Sequence, residues 1–161
     1  MVGFMKRFLM LILCMAIVLM SFPTFAYDEQ EPYIFFNGSR VELQIHPEFV
    51  NGICMVPLVE LSEKTHILRG RVFMDPYTYS YSGILSYGRS FTAFSAGTTE
   101  AFNTSLGPIK LDAAPYVNRE DLMVPLTLFN ILSDQGVYVG YDYNENRIEI
   151  MTASMLGQLN Y

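Results

Sequence analysis

The side chains that do most chemistry in proteins are scarce here, and their spacing decides what they can do. The 161 residues hold two histidines, His46 and His66, and two cysteines, Cys14 and Cys54. A copper site needs several imidazoles converging on one ion. No His-x-His exists and the two histidines lie 20 positions apart, so both read as structural or solvated side chains rather than ligands. Cys54 is followed by Met55-Val56 in an apolar run, the setting of a buried structural thiol. An alternative reading makes Cys54 or His66 the centre of an envelope hydrolase, although neither has a serine or a nucleophile elbow beside it. The acid pairs Glu120-Asp121 and Glu60/Glu63 fall in a turn and on a polar helix face, and read as solvated charge. No glycine-rich phosphate loop is present. Asn37-Gly38-Ser39 and Asn103-Thr104-Ser105 match the glycosylation pattern, but the first is better explained as a turn. The chain offers no catalytic set, no metal ligands and no cofactor motif, and the expectation is a non-enzymatic protein.

One group of residues is suited to binding. Tyr77, Tyr79 and Tyr81 alternate with Thr78, Ser80 and Ser82, and Tyr87, Phe91 and Phe94 follow. On a strand the three phenols share a face. An open face would offer flat rings with polar edges to a sugar or a protein partner, whereas a closed one is core. Alternating aromatics are what any half-buried strand shows, so core is the favoured reading and binding through Tyr77, Tyr79, Tyr81 and Tyr87 the sharper one.

The elements that must position these residues begin after residue 26. Met1 to Arg7 carries two cations, Phe8 to Met20 is unbroken apolar sequence, and Ser21-Phe22-Pro23-Thr24-Phe25-Ala26 supplies a small residue for cleavage. This is the pattern of a secretory signal peptide over residues 1–26. Thirteen apolar residues fall short of the roughly 18 that a membrane-spanning helix needs, so no span is expected after cleavage. The leader explains the high apolar fraction of 51%. Cleavage also removes Lys6, Arg7 and Cys14, leaving 8 basic against 16 acidic side chains and a single cysteine. An acidic surface argues against nucleic acid and gives no attraction to anionic lipid. Without an internal disulfide, the exported chain folds by its core alone.

That core is built from a repeat. His46 to Leu58 aligns without gaps on Ala114 to Leu126, an offset of 68 positions. Both copies keep a proline (Pro47, Pro115) and, ten positions on, a second proline inside Met-Val-Pro-Leu (Val56-Pro57-Leu58 and Val124-Pro125-Leu126); Leu43 and Leu111 match upstream. Two such half-domains usually share one core. Each reads as a strand, a turn, a second strand and a helix opened by proline, which ends strand pairing and has a helical φ ready-made. Asn51-Gly52 is a tight hairpin turn and Asn118-Arg119-Glu120-Asp121 a longer one. Leu58, Leu61 and Leu68 mark the first helix; Leu126, Leu128, Phe129, Ile131 and Leu132 mark a second, more buried one ending near Gly136. Tyr33–Phe36 and Val41–Ile45 flank Asn37-Gly38 as a hairpin, Val72–Met74 and Val137–Tyr141 follow the helices, and Arg147–Met151 alternates as a half-exposed strand. From Tyr77 to Phe102 short strands are expected between Gly83, Gly88 and Gly97, and residues 153–161 are expected to fray. The fold class is α+β: mainly antiparallel sheet with two helices, in two pseudo-repeated halves over about 33–75 and 101–152.

The doubled Pro-ten residues-Val-Pro-Leu motif, followed by Gly136-Val137 and Arg147-Ile148-Glu149-Ile150, resembles the copper amine oxidase N-terminal domain, or stalk domain, over about Tyr33 to Met151. The chain departs from the family where Val59 and Thr127 replace the arginine usual after Val-Pro-Leu. The resemblance implies one stalk-type domain over 27–152: an antiparallel sheet wrapped around helix, secreted or attached to the bacterial surface, without catalysis or a cofactor of its own. Its partners would be cell-wall glycan or another surface protein, the latter making it a subunit of a surface assembly.

Overall fold

The computed structural model describes residues 31–66 and 68–156. The expected leader with Cys14, and the tail from residue 157, lie outside them. Strand residues far outnumber helical ones and nearly all strand pairing is antiparallel, an α+β architecture.

The front hairpin joins β1 (Tyr33–Phe36) to β2 (Ser39–Val41). Its turn is Asn37-Gly38, with φ of 50° and 77°, the left-handed pair that a two-residue hairpin turn requires. The strand ends at Val41, not Ile45, because Gln44 and Ile45 turn away to donate their N–H groups to Glu60 at 2.5 and 2.9 Å. Strands β3 (Glu48–Val50) and β4 (Ile53–Pro57) close around Asn51-Gly52, and β4 runs directly into helix α1 (Leu58–Thr65) at Pro57. Leu58, Leu61, Ser62 and Thr65 turn inward, and His66, at φ 57°, ends the helix.

The middle of the chain is a five-stranded meander: β5 (Arg69–Met74), β6 (Tyr81–Tyr87), β7 (Ser90–Ser95), β8 (Glu100–Asn103) and β9 (Gly107–Lys110). Gly88 and Gly97 lie at turns as expected, both at positive φ. Gly83 does not break a strand: it lies inside β6, where a Cβ would stand 2.4 Å from the Phe94 ring. The missing side chain is what lets Phe94 bury.

After the meander come β10 (Tyr116–Asn118), β11 (Asp121–Pro125), a 3-10 helix (Leu126–Gln135), β12 (Val137–Asp142) and β13 (Arg147–Thr152). The turn between β10 and β11 is shorter than expected. Asn118 pairs with Asp121, leaving two turn residues, and Arg119 takes the left-handed φ of 56°. The segment after Pro125 is helical as expected but wound as a 3-10 helix. At three residues per turn Leu126, Phe129 and Leu132 fall on one edge, and all three are buried. Gly136 closes it at φ 80°, donating its N–H to Leu132 and Ser133. Residues Ala153–Leu156 form a terminal helical turn instead of fraying, held by the Ala153 N–H on the Gly136 carbonyl at 2.7 Å.

The strands assemble as three sheets: β12-β13-β1-β2, β10-β11-β4-β3, and the meander β5 to β9. β1 and β13 pair in parallel, Ile34 beside Ile148 and Phe36 beside Ile150, so the first and last described strands lie together. β4 and β11 pair antiparallel about Val56 and Val124, which stand opposite each other. One core joins all three sheets, α1 and the 3-10 helix, with Phe129, Leu58, Leu61, Leu85, Leu122 and Ile148 sealed from solvent.

Candidate functional site

The eight motif residues taken from the repeat, Pro47, Val56, Pro57, Leu58, Pro115, Val124, Pro125 and Leu126, are all buried. They are scaffold. The tyrosines part company. Tyr77 and Tyr79 are not on a strand: Asp75 to Ser80 is the loop between β5 and β6, and the two phenols are 92% and 74% exposed. Two left-handed or bonded features replace the expected extension. Asp75 accepts the Tyr77 N–H at 2.8 Å on its carboxylate, and Tyr79 sits at φ 54° with its N–H on the Asp75 carbonyl at 2.8 Å. This Asx turn cannot give the period-two alternation of a strand. The Tyr77 N–H first, then the Thr78 hydroxyl, holds the Asp75 carboxyl below the usual range. Tyr81 and Tyr87 do lie on β6 and pack, half-buried, against the core, as the favoured reading of that segment has it. The rings on the outer face of the meander are Phe73, Phe91 and Phe102, each about half exposed, while Phe94 is buried.

The acids are not simply solvated. Asp121 is 5% exposed, and its carboxylate accepts N–H bonds from Val59 (2.9 Å), Glu60 (2.8 Å) and Leu122 (2.7 Å). A carboxylate at a helix start satisfies the free donors and the positive end of the helix dipole. Here it arrives from 61 residues away in sequence, because Pro57 at the cap position has no side-chain donor or acceptor. Glu60 in turn fixes Gln44 and Ile45. Asn103 is likewise buried, bonded to Thr92 and to the N–H groups of Ser105 and Leu106, and so is closed to glycosylation.

The segment that Glu60 fixes forms one wall of an open cleft of about 860 Å³. Gln44 to Phe49, the turn residues Asn118 and Arg119, Tyr141, Tyr143 and Asn146 from the end of β12 and its turn, and Glu31-Pro32 contribute its lining. An aromatic corner stands on one side. Phe49 meets Tyr141 edge-to-face with centroids 5.4 Å apart, and Tyr141 meets Tyr143 likewise at 4.6 Å. The Tyr141 hydroxyl donates to Asn146. Burial, then the nearby Cys54, Tyr143 and Asp142, raises the Tyr141 phenol above its ordinary range, so it stays a neutral donor. Glu48 accepts from the Tyr116 hydroxyl, and burial together with that carboxylate keeps Tyr116 protonated as well. His46 faces Glu31 at 3.3 Å. Arg119 has no ion-pair partner among the described residues.

Chemically the cleft holds stacking surface, planar amides, two carboxylates and a guanidinium. Cys54 stands behind its aromatic wall as the cross-strand partner of Phe49, buried, with burial pushing the thiol up to about 12. It is a thiol, not a thiolate, at neutral pH. His66 is exposed at the end of α1. Among the described residues no three His, Cys, Asp or Glu side chains gather as metal ligands, and no helix is long and apolar enough to cross a membrane.

On residue types alone Val137–Tyr141 reads as a strand and His46 as a structural or solvated side chain, and neither reading names this cleft. The sign in the sequence is positional: residues 46–49 and 118–119, from the aligned stretches His46 to Leu58 and Ala114 to Leu126, line the same opening. No protein-family model, curated protein or solved structure matches this chain.

Proposed function

We propose that this chain is a secreted, non-catalytic, stalk-type module of the copper amine oxidase N-terminal kind, acting at the bacterial cell envelope as a binding module or spacer. Residues 1–26 are its signal peptide and 27–152 its domain. The observation that carries the reading is the second sheet. Residues related by the offset of 68 lie at its centre, with Val56 opposite Val124, Met55 opposite Pro125 and Pro57 opposite Met123, a register unchanged when the two copies are exchanged. Two half-repeats sharing one core in this way support the stalk-type assignment.

Binding is favoured over pure spacing because aromatic groups stand open in two places, the Tyr77/Tyr79 loop and the cleft. The hydrolase alternative at Cys54 or His66 draws less support, since the thiol is buried and protonated. Partners are cell-wall glycan or another surface protein. The test is retention of the exported protein on purified cell-wall sacculi. Retention that free wall fragments compete away is expected; no retention on wall or cell surface, together with turnover of an envelope substrate, would sink the reading.

A further inference from the structure

We infer that the cleft between the β3 entry, the β10–β11 turn and the β12–β13 turn is a saccharide-binding site that takes an oligosaccharide of uncharged pyranose rings. The inference deepens the proposed function, resting on it only for where the sugar is met. A pyranose presents a patch of axial C–H bonds on each face and a rim of hydroxyls that both donate and accept. Its binding site therefore needs exposed aromatic surface beside planar polar groups of both kinds. The cleft supplies both. Phe49 and Tyr143 remain 46% and 83% exposed although each touches Tyr141 edge-to-face, so ring surface is left for a ligand. Glu48 offers acceptor oxygens, Arg119 donors and the Asn118 amide both.

The site is built rather than incidental. Asp121 caps α1, Glu60 on α1 ties down Gln44 and Ile45, and the Tyr116 hydroxyl anchors Glu48. The wall from Gln44 to Glu48 is thus fixed before any ligand arrives, which lowers the ordering cost of binding. Other ligand classes fit less well. Glu31 and Glu48 in the lining oppose the phosphates of nucleotides and nucleic acids, and among the described residues no helix starts at the opening to receive them. A wholly apolar molecule would strip water from the carboxylates, amides and guanidinium of the lining and give them no partner in return.

The test is calorimetric titration of the exported full chain with chitotetraose, cellotetraose and tetragalacturonate. Binding of a neutral tetramer is expected, with tetragalacturonate weaker. Tyr143→Ala and Phe49→Ala are expected to weaken it by about tenfold or more each, without loss of the far-UV circular dichroism spectrum. Tyr138→Ala, an exposed tyrosine of β12 outside the cleft, is expected to leave binding unchanged. No binding of any tetramer at millimolar concentration, a preference for the anionic one, or folded Tyr143→Ala and Phe49→Ala proteins with unchanged affinity would each overturn the inference. Sacculus retention separates the two readings. Retention without tetramer binding leaves the envelope role standing and removes the saccharide site, whereas tetramer binding without retention keeps the site and removes the envelope role.

Discussion

Removing the Asp121 carboxylate tests the link between β11 and α1. It accepts the N–H groups of Val59 and Glu60, the first free donors of α1, and that of Leu122. A lost helix cap costs about 0.5–2 kcal/mol. Hydrogen bonds to a charged group contribute about 1.5–3 kcal/mol each when nothing replaces them. Val59 and Glu60 are half-buried, so water recovers part of this loss. The two figures together place Asp121→Ala at about 3 kcal/mol, or a fall in Tm of about 10 °C for a domain of this size. Asp121→Asn keeps the shape and one acceptor oxygen, and is expected to cost about half as much. Urea unfolding followed by circular dichroism measures the cost, and amide hydrogen exchange locates it. Val59 and Glu60 should lose protection first, then Gln44 and Ile45, which hang from Glu60. An acid that merely decorates a surface turn would change stability by no more than about 0.5 kcal/mol. A cost that small for Asp121→Ala, with unaltered exchange at Val59 and Glu60, would refute the capping argument.

Three further outcomes are expected. Gly83→Ala should destabilise by about 1–3 kcal/mol, since its Cβ would sit 2.4 Å from the Phe94 ring and 2.9 Å from Leu122, whereas Gly140→Ala, with open space around it, should be near neutral; thermal melts of both variants decide this. Cys54 should resist a thiol reagent at pH 8 in the folded protein and react in urea. With its thiol pushed from an ordinary 9.0 up to about 12, the contribution to stability is intact below about pH 9 and is lost as pH rises towards 12, which urea melts at alkaline pH would register. Asp75→Ala should free the Tyr77-Thr78-Tyr79 loop, seen as faster chymotryptic cleavage there. Because the Asp75 carboxyl is held below its usual range, the loop's protection in the native protein is present above the ordinary carboxylate range and lost as pH falls through the lowered value, read by an acid-stable protease.

Legibility followed how local the cause was. Asn37-Gly38 and Asn51-Gly52 declared their hairpins because the required left-handed φ values are a property of those residues alone. Pro57 and Pro125 marked the strand-to-helix junctions for the same kind of reason. Alternation placed Arg147–Met151; the strand runs one residue further to Thr152, and its inward residues Ile148, Ile150 and Thr152 are buried. Tyr77 to Tyr81 shows where local pattern misleads. The spacing suits a strand, but the Asp75 carboxylate captures the following N–H groups and turns the chain instead. Gly83 misled in the opposite sense, since a glycine that punctuates in isolation is here the space into which Phe94 packs.

The sequence by itself determined the local patterns. The gapless match of His46 to Leu58 on Ala114 to Leu126, the apolar run Phe8 to Met20 behind Lys6 and Arg7, and the scarcity of histidine and cysteine are all read from residue types and their spacing, which need no partner. The tertiary structure decided which residues meet. It set Asp121 over a helix that begins 63 residues earlier, stood Val56 against Val124, laid β1 beside β13, and brought Phe49, Arg119 and Tyr143 to one opening. Contacts between positions so far apart depend on how whole sheets pack, and no window of neighbouring residues contains that information.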